Sequence, residues 1–344
     1  MLKLLKSHFA PESRGTRALQ RIVEKTGIAV RYDDEWQIFR NAYLQPILAE
    51  AGKRGFAALQ EAYEAEHEAK LTNPWGGRYY EMIEGSLDLV VPSDSPDPIL
   101  CEERLAEVQT AWEEGGRTPF LSAAFARLAA NCGHAWRGGD WAGNVSEKGW
   151  QKLAEYTDLA REVMEMSDPG PGACPFWHSI NFSLCLTDDS DPDEKEARFE
   201  RYAALDPLSP DVYTARAYQL LPRWHGSFEE IEQMARDAVH RTAGQRGLEM
   251  YGRIYALVSH YDPIGMTDCD LADLTKGYVD WTERWPTQCN VNRLARFAWD
   301  MQSMPLLRHV LESRLTEVHM SHWEDAAMVA AAWRQSGAKL MPRR

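Results

Sequence analysis

Apolar side chains recur at three-and-four spacing along almost the whole of this 344-residue chain, and period-two alternation of β-branched residues is nearly absent. A helix turns once in ~3.6 residues, so each such segment carries one apolar face that must be covered by another helix. Ile231, Met234, Ala235, Ala238 and Val239 share a face of this kind, and Ser227 with Glu230 forms a capping box that starts it. Leu248, Tyr251, Ile254, Tyr255 and Val258 follow, ending before Asp262-Pro263; Leu271, Leu274, Tyr278 and Trp281 are stopped at Trp285-Pro286. Val291, Leu294, Ala295 and Ala298 continue the pattern, then Leu307, Val310 and Leu311, and a last helix runs through Trp323, Ala327, Ala330 and Trp333.

Upstream, Leu121, Phe125, Leu128 and Cys132 mark a helix ending at Gly133, and Trp150 to Met164 mark a long one ending near Asp168-Pro169-Gly170. Proline stands at the first helical position after Thr118, Asp191 and Ser209. Trp36, Phe39, Tyr43 and Ile47 predict another helix, as do Phe56, Leu59, Tyr63 and His67, and only Leu87 to Val91 has strand character. The expected fold is all-α: stacked helical hairpins, two helices per roughly 35–45 residues, in an irregular tetratricopeptide-like solenoid. The loop Pro92-Ser93-Asp94-Ser95-Pro96-Asp97-Pro98 divides an N-terminal mainly helical subdomain, 1–98, from a helical-repeat-like domain, 99–344.

Charge excludes whole classes of function. Against 38 Lys plus Arg stand 52 Asp plus Glu, a formal net charge of −14. Such a surface repels phosphate backbones and anionic membranes, so neither nucleic acid nor membrane is an expected partner. Residues 61–207 carry 29 acidic and 12 basic groups, more than the whole excess, whereas residues 1–60 carry 10 basic and 6 acidic. The cysteines, Cys101, Cys132, Cys174, Cys185, Cys269 and Cys289, include no Cys-x-x-Cys pair and suit a reducing compartment. The start, Met1 to His8, lacks an apolar stretch of signal-peptide length, and no run approaches the ~18 apolar residues of a membrane span. A cytoplasmic protein is expected.

Two Trp-containing phrases stand at predicted helix junctions: Ala135-Trp136-Arg137-Gly138-Gly139-Asp140-Trp141, ahead of the helix opened by Gly149-Trp150, and Leu221-Pro222-Arg223-Trp224-His225-Gly226-Ser227. With the junction Leu205-Asp206-Pro207-Leu208-Ser209-Pro210 they resemble a bacterial all-helical family catalogued as domain of unknown function four thousand thirty-four, over about residues 110–330. The resemblance implies a helical-repeat architecture and no particular chemistry. Tetratricopeptide-like repeats usually bind peptides or protein partners on a concave face.

In the loop from His134 to Trp141, Arg137 could bind a carboxylate between stacked indoles, with Asp140 beside it; alternatively Arg137 and Asp140 satisfy loop backbone groups while Trp136 and Trp141 plug gaps between helices. Arg223, Trp224 and His225 could stand on the same rim as that loop with His225 as proton carrier, or form a helix-capping turn relaxed by Gly226. Asp189, Asp191, Asp193 and Glu200 match positions of a calcium loop, but the obligatory glycine is Glu194, and Asp191 reads better as an N-cap before Pro192. His319 and His322, beside Glu317 and Glu324, could set two imidazoles on one helical face for a metal, though no third ligand is signalled; a capping or surface role competes. Gly170-Pro171-Gly172 is too short for a dinucleotide fingerprint, and no phosphate-loop or nucleophile-elbow motif occurs, so no cofactor and no catalytic residue is expected.

The leading expectation is a scaffold or adaptor that binds a basic protein or peptide, such as a toxin or secreted protein, through an aromatic-lined groove. The alternative is a small-ligand binder or enzyme whose pocket lies between the two Trp-containing phrases. A structural subunit with an exposed apolar patch is a third.

Overall fold

The computed structural model describes residues 14–95, 97–167, 174–187 and 190–340. The signal-peptide reading of Met1 to His8, Pro96 of the loop, the Asp168-Pro169-Gly170 helix end, Gly170-Pro171-Gly172 and Asp189 of the calcium pattern lie outside them. In order the elements are α1 (Arg14–Thr26), β1 (Ala29–Arg31), α2 (Glu35–Arg54), α3 (Phe56–Ala69), α4 (Tyr79–Ser86), α5 (Pro98–Glu114), α6 (Pro119–Arg137), α7 (Glu147–Glu165), α8 (Pro175–Ser183) and α9 (Pro192–Leu205). There follow α10 (Pro210–Gln219), α11 (Phe228–Arg246), α12 (Glu249–Val258), α13 (Leu271–Arg284), α14 (Gln288–Asp300), α15 (Met304–Ser313), β2 (Glu317–His319) and α16 (Ala326–Ser336). The all-α expectation holds, and no described helix is long and apolar enough to cross a membrane.

Helix starts follow the sequence signals. Thr118, Asp191, Ser209 and Ser227 each accept a backbone N–H of the first turn on their side-chain oxygen. Three readings change. Leu87–Leu89 is a 3₁₀ turn that directly follows α4, with right-handed helical backbone at Ser86 and Val90, rather than a strand. The strands are instead β1 and β2, a parallel pair with Val30 opposite Val318, too short for periodicity to reveal. Trp323 precedes α16 and donates its indole N–H to Asn292 Oδ1 at 3.0 Å.

The chain forms two compact units, Met1–Asn41 with Tyr278–Arg344, and Ala42–Gly277. In the first, α1 packs on α16, α14 on α15 and β2. Gly15 allows the α1–α16 approach, since a Cβ there would lie 2.7 Å from that of Ala327. Fully buried Asn292 ties α14 to β2: its amide donates to the Gln288 and Glu317 carbonyls, while its oxygen accepts from His319 N–H and Trp323. All its hydrogen-bonding capacity is used.

In the second unit sequence neighbours stack: α5 on α6, α6 on α7, α8 on α9, α9 on α10, α10 on α11 and α11 on α12, with α6 also on α8 and α10 on α12. The buried alanines Ala123, Ala124, Ala126 and Ala129 make α6 thin enough to be enclosed by neighbours. Helix α12 is enclosed as well: Glu249, Met250, Tyr251, Ile254, Tyr255 and Val258 have no exposed surface. Gly277 of α13 lies against Gly252 of α12, where a Cβ would come within 2.7 Å of backbone.

Candidate functional site

Enclosed α12 carries two polar stripes, and each organises a different part of the second unit. Residues four apart share a helix face, so Tyr251 and Tyr255 look one way and Glu249 and Arg253 another. Both tyrosine hydroxyls donate to Glu232 Oε2, at 2.7 and 2.6 Å, and Arg236 Nε donates to Oε1 at 2.7 Å. Burial, then the Glu232 carboxylate, pushes both phenols upward. Arg236 also pairs with Asp273 of α13.

Above these pairs lies an open recess of about 710 Å³ lined by Glu229, Glu232, Gln233, Arg236, Asp237, His240 and Asp268. Six of the seven are spaced as one face of α11, a stripe ~16 Å long at the helical rise. Four carboxylates face one arginine and one histidine. Glu232 is held as described and Asp237 accepts from Arg241 Nε at 2.7 Å. Exposed Glu229 and Asp268 have no ion-pair partner among the described residues, so their charge is available to a ligand. Cys269 stands next to Asp268; burial, then the carboxylates of Glu232, Asp270 and Asp268, raise its thiol above the ordinary range.

The other stripe of α12 grips the segment from Asn73 to Glu81. Glu249 receives Arg246 Nη1 at 2.7 Å and Arg253 Nε at 2.8 Å, and the two guanidiniums donate to the carbonyls of Gly76 and Trp75. Asn73 Oδ1 accepts the N–H groups of Trp75 and Gly77, closing the turn. Arg78 makes a bidentate pair with Asp206, at 2.7 and 2.8 Å, with the side chains only 7% and 3% exposed. Burial opposes the Arg78 charge, but Asp206 outweighs it and holds its pKa above the usual value. Lys70 carbonyl, Thr72 and Tyr80 complete the set. Glu81 accepts from Arg78 N–H and from Ser209 Oγ at the start of α10. These buried partners were not found in the sequence; Asp206 and Ser209 were noted only as a helix junction, and isolated Arg and Asp letters give no sign of pairing across about 130 residues.

The Trp-containing phrases are placed differently from the expectation. Residues 134–137 are the last turn of α6, and the loop begins only at Gly138, whose positive φ of 74° ends the helix. The α6 apolar face extends past Gly133 to Ala135, so the glycine inside the run does not terminate it. Trp136 donates to Glu102 Oε1 at 3.0 Å, beneath Lys148, whose Nζ lies 4.1 Å from the indole centre. Burial works against the Glu102 charge, but donors Tyr156, Lys152 and Trp136 prevail and lower its pKa. Arg137 donates to the Gly138 and Asp140 carbonyls and lies over Trp150, while Asp140 is exposed and Trp141 is 87% exposed.

Arg223, Trp224 and His225 are exposed in a 3₁₀ turn. Arg223 lies over Tyr261 and donates to its carbonyl, Trp224 packs on Tyr218, and His225 takes a left-handed φ of 72°. At Gly226 a Cβ would lie 2.2 Å from the Leu220 carbonyl oxygen. Gly226→Ala is therefore expected to lower stability by ~2 kcal/mol or more, measured by urea denaturation. Among the described residues the hydrogen bonds and ring contacts of the two phrases share no partner.

In the first unit, His319 ends β2 and His322 closes the 3₁₀ turn after it, so they do not share an α-helical face. Buried His319 faces Glu317 and Glu35, whereas His322 Nε2 lies 3.2 Å from Cys289 Sγ. Among the described residues no three His, Cys, Asp or Glu side chains are grouped to hold a metal ion. Asp191 caps α9 as expected, accepting from Glu194 N–H at 2.8 Å.

No protein-family model matches this sequence, and neither a curated protein nor a solved structure is significantly similar to it.

Proposed function

We propose that this chain is a helical scaffold that binds a basic protein or peptide segment along the acidic face of α11. The observation that carries the reading is the recess itself: one continuous stripe of α11, open to solvent, whose three carboxylates are joined by Asp268 against one arginine and one histidine. An extended segment can lay lysines or arginines along a stripe of this length, and complementary charge sets encounter rate and register. The stacking of sequence neighbours, with α6 also on α8 and α10 on α12, supports an irregular tetratricopeptide-like arrangement. A toxin or secreted protein of basic charge is one fitting partner class, and a member of the family catalogued as domain of unknown function four thousand thirty-four would fit the same architecture. For the alternative pocket between the Trp-containing phrases, no shared partner occurs among the described residues.

A fluorescein-labelled Lys/Arg-rich peptide followed by anisotropy tests the reading. Binding should weaken with added salt and fall at least about fivefold in Glu229→Lys/Asp268→Lys, two exposed positions whose reversal adds ~0.5 kcal/mol or more each. Equal affinity of the doubly reversed variant, or salt-independent binding, would remove the acidic face from the proposal.

A further inference from the structure

Cys289 occupies the first turn of α14, which Thr287 caps by accepting the Asn290 N–H at 3.2 Å. Its sulfur lies 3.2 Å from His322 Nε2, a nucleophile and a base in hydrogen-bond reach. The base is fixed from both sides: Asn292 holds the backbone of His319 and the indole of Trp323, and Arg296 donates to the His322 carbonyl at 3.3 Å. Arg293 and Arg296 follow Cys289 by four and seven residues, so the helix places both guanidiniums on the thiol's own face. Arg293 is oriented by Asn290 and by the Trp281 ring, 4.4 Å away; Arg296 pairs with Asp300 and Glu324.

The surroundings choose between two chemistries. Burial first, then Arg293, His319 and Arg296, push His322 down to about 4, against an opposing pull from Asp34. The imidazole is therefore neutral at pH 7, and its Nε2 lone pair is free to accept a hydrogen bond from the Cys289 thiol, 3.2 Å away. Arg293 and Arg296 disfavour a metal ion between Sγ and Nε2 and, with the start of the helix, favour a thiolate against the opposing burial of Cys289 and the Glu35 carboxylate on its backbone N–H. Glu35 Oε2 accepts the Cys289 backbone N–H at 3.1 Å, so that amide is not free to cradle an oxyanion and acyl transfer is not indicated.

We propose that Cys289 and His322 form a nucleophilic thiol–imidazole pair that reacts with soft electrophiles, and that Arg293 and Arg296 select anionic ones. In the step, the thiol proton passes to His322 Nε2 and a sulfur lone pair forms the new S–C bond. The bond from carbon to the leaving group breaks, the leaving group departs with its electron pair, and the imidazolium returns its proton to water.

Iodoacetate and iodoacetamide, which differ only by the anionic charge and release iodide in the same way, test this on the intact chain. Cys269 is an internal reference because carboxylates surround it. Timed labelling read by peptide mass spectrometry should show Cys289 modified before the other cysteines, with an iodoacetate-to-iodoacetamide rate ratio at least about tenfold above that of Cys269. His322→Gln should slow both reagents about tenfold or more, while Arg296→Gln should slow iodoacetate selectively. A native protein in which Cys289 stays unlabelled as Cys269 reacts overturns the proposal, as does an equal charge ratio at the two sulfurs. The ratio is read on the unsubstituted protein, so it decides the matter even where a variant fails to fold.

Discussion

Asp206→Ala should cost ~3–5 kcal/mol of stability in urea denaturation, among the largest single-residue losses this chain can show. The substitution leaves the Arg78 guanidinium, which donates to both Asp206 oxygens, buried and without its counter-charge. It also strips Tyr80 and the Leu208 N–H of their acceptor. Arg78→Met should be nearly as harmful, because it leaves the Asp206 carboxylate in the same interior. The double variant Arg78→Met/Asp206→Leu should recover a large part of the loss, since a buried ion pair gains little over apolar side chains of similar size. A double variant no better than the sum of the single ones would mean that the two charges do not act as a pair.

The second large effect is a pH dependence carried by Glu84. Only 8% exposed, its carboxyl is pushed by burial to about 8; the Arg127 charge opposes the rise and the Asp211 charge adds to it. The ordinary value is 4.5, so folding takes up a proton between the two. Below pH 4.5 the group is protonated in both states and contributes no penalty. As pH rises through the window the folded state must either keep a proton that the unfolded state has released or bury a charge, and the penalty is full above about 8. At ~1.4 kcal/mol per pH unit this amounts to on the order of 5 kcal/mol. Glu81 is shifted in the same direction, by burial first and by Asp211 second. Glu84→Gln, which keeps the shape of the protonated acid, should match the unsubstituted protein near pH 4 and exceed it increasingly toward pH 9. Parallel stability–pH curves for the two proteins would show that Glu84 does not titrate in this window.

Local physics made most helices legible without coordinates. Ser227 with Glu230, Asp191-Pro192, Thr118-Pro119 and Ser209-Pro210 mark starts because the chemistry of a cap is complete within four residues. Where a local signal met a tertiary one, the local one lost. Gly133 breaks nothing because it lies tightly against Leu153 and Tyr156 of α7, and packing there favours a residue without a side chain inside a continuing helix. The β1–β2 pair was unreadable for the opposite reason: three residues on each side carry no period, and their pairing joins positions 29–31 to 317–319.

The sites divide along the same line. Sequence by itself determined an acidic, nearly all-helical chain and the aromatic phrases that draw attention; the aromatics stand out because their composition is unusual, and composition is a local property. Tertiary structure alone decided that Trp136 serves Glu102, that six polar positions of α11 form one wall of a recess, and that Cys289 meets His322. Each of these depends on two distant segments arriving at hydrogen-bond distance or on one shared surface. Helical periodicity says which face of a segment is buried, but not which other segment buries it.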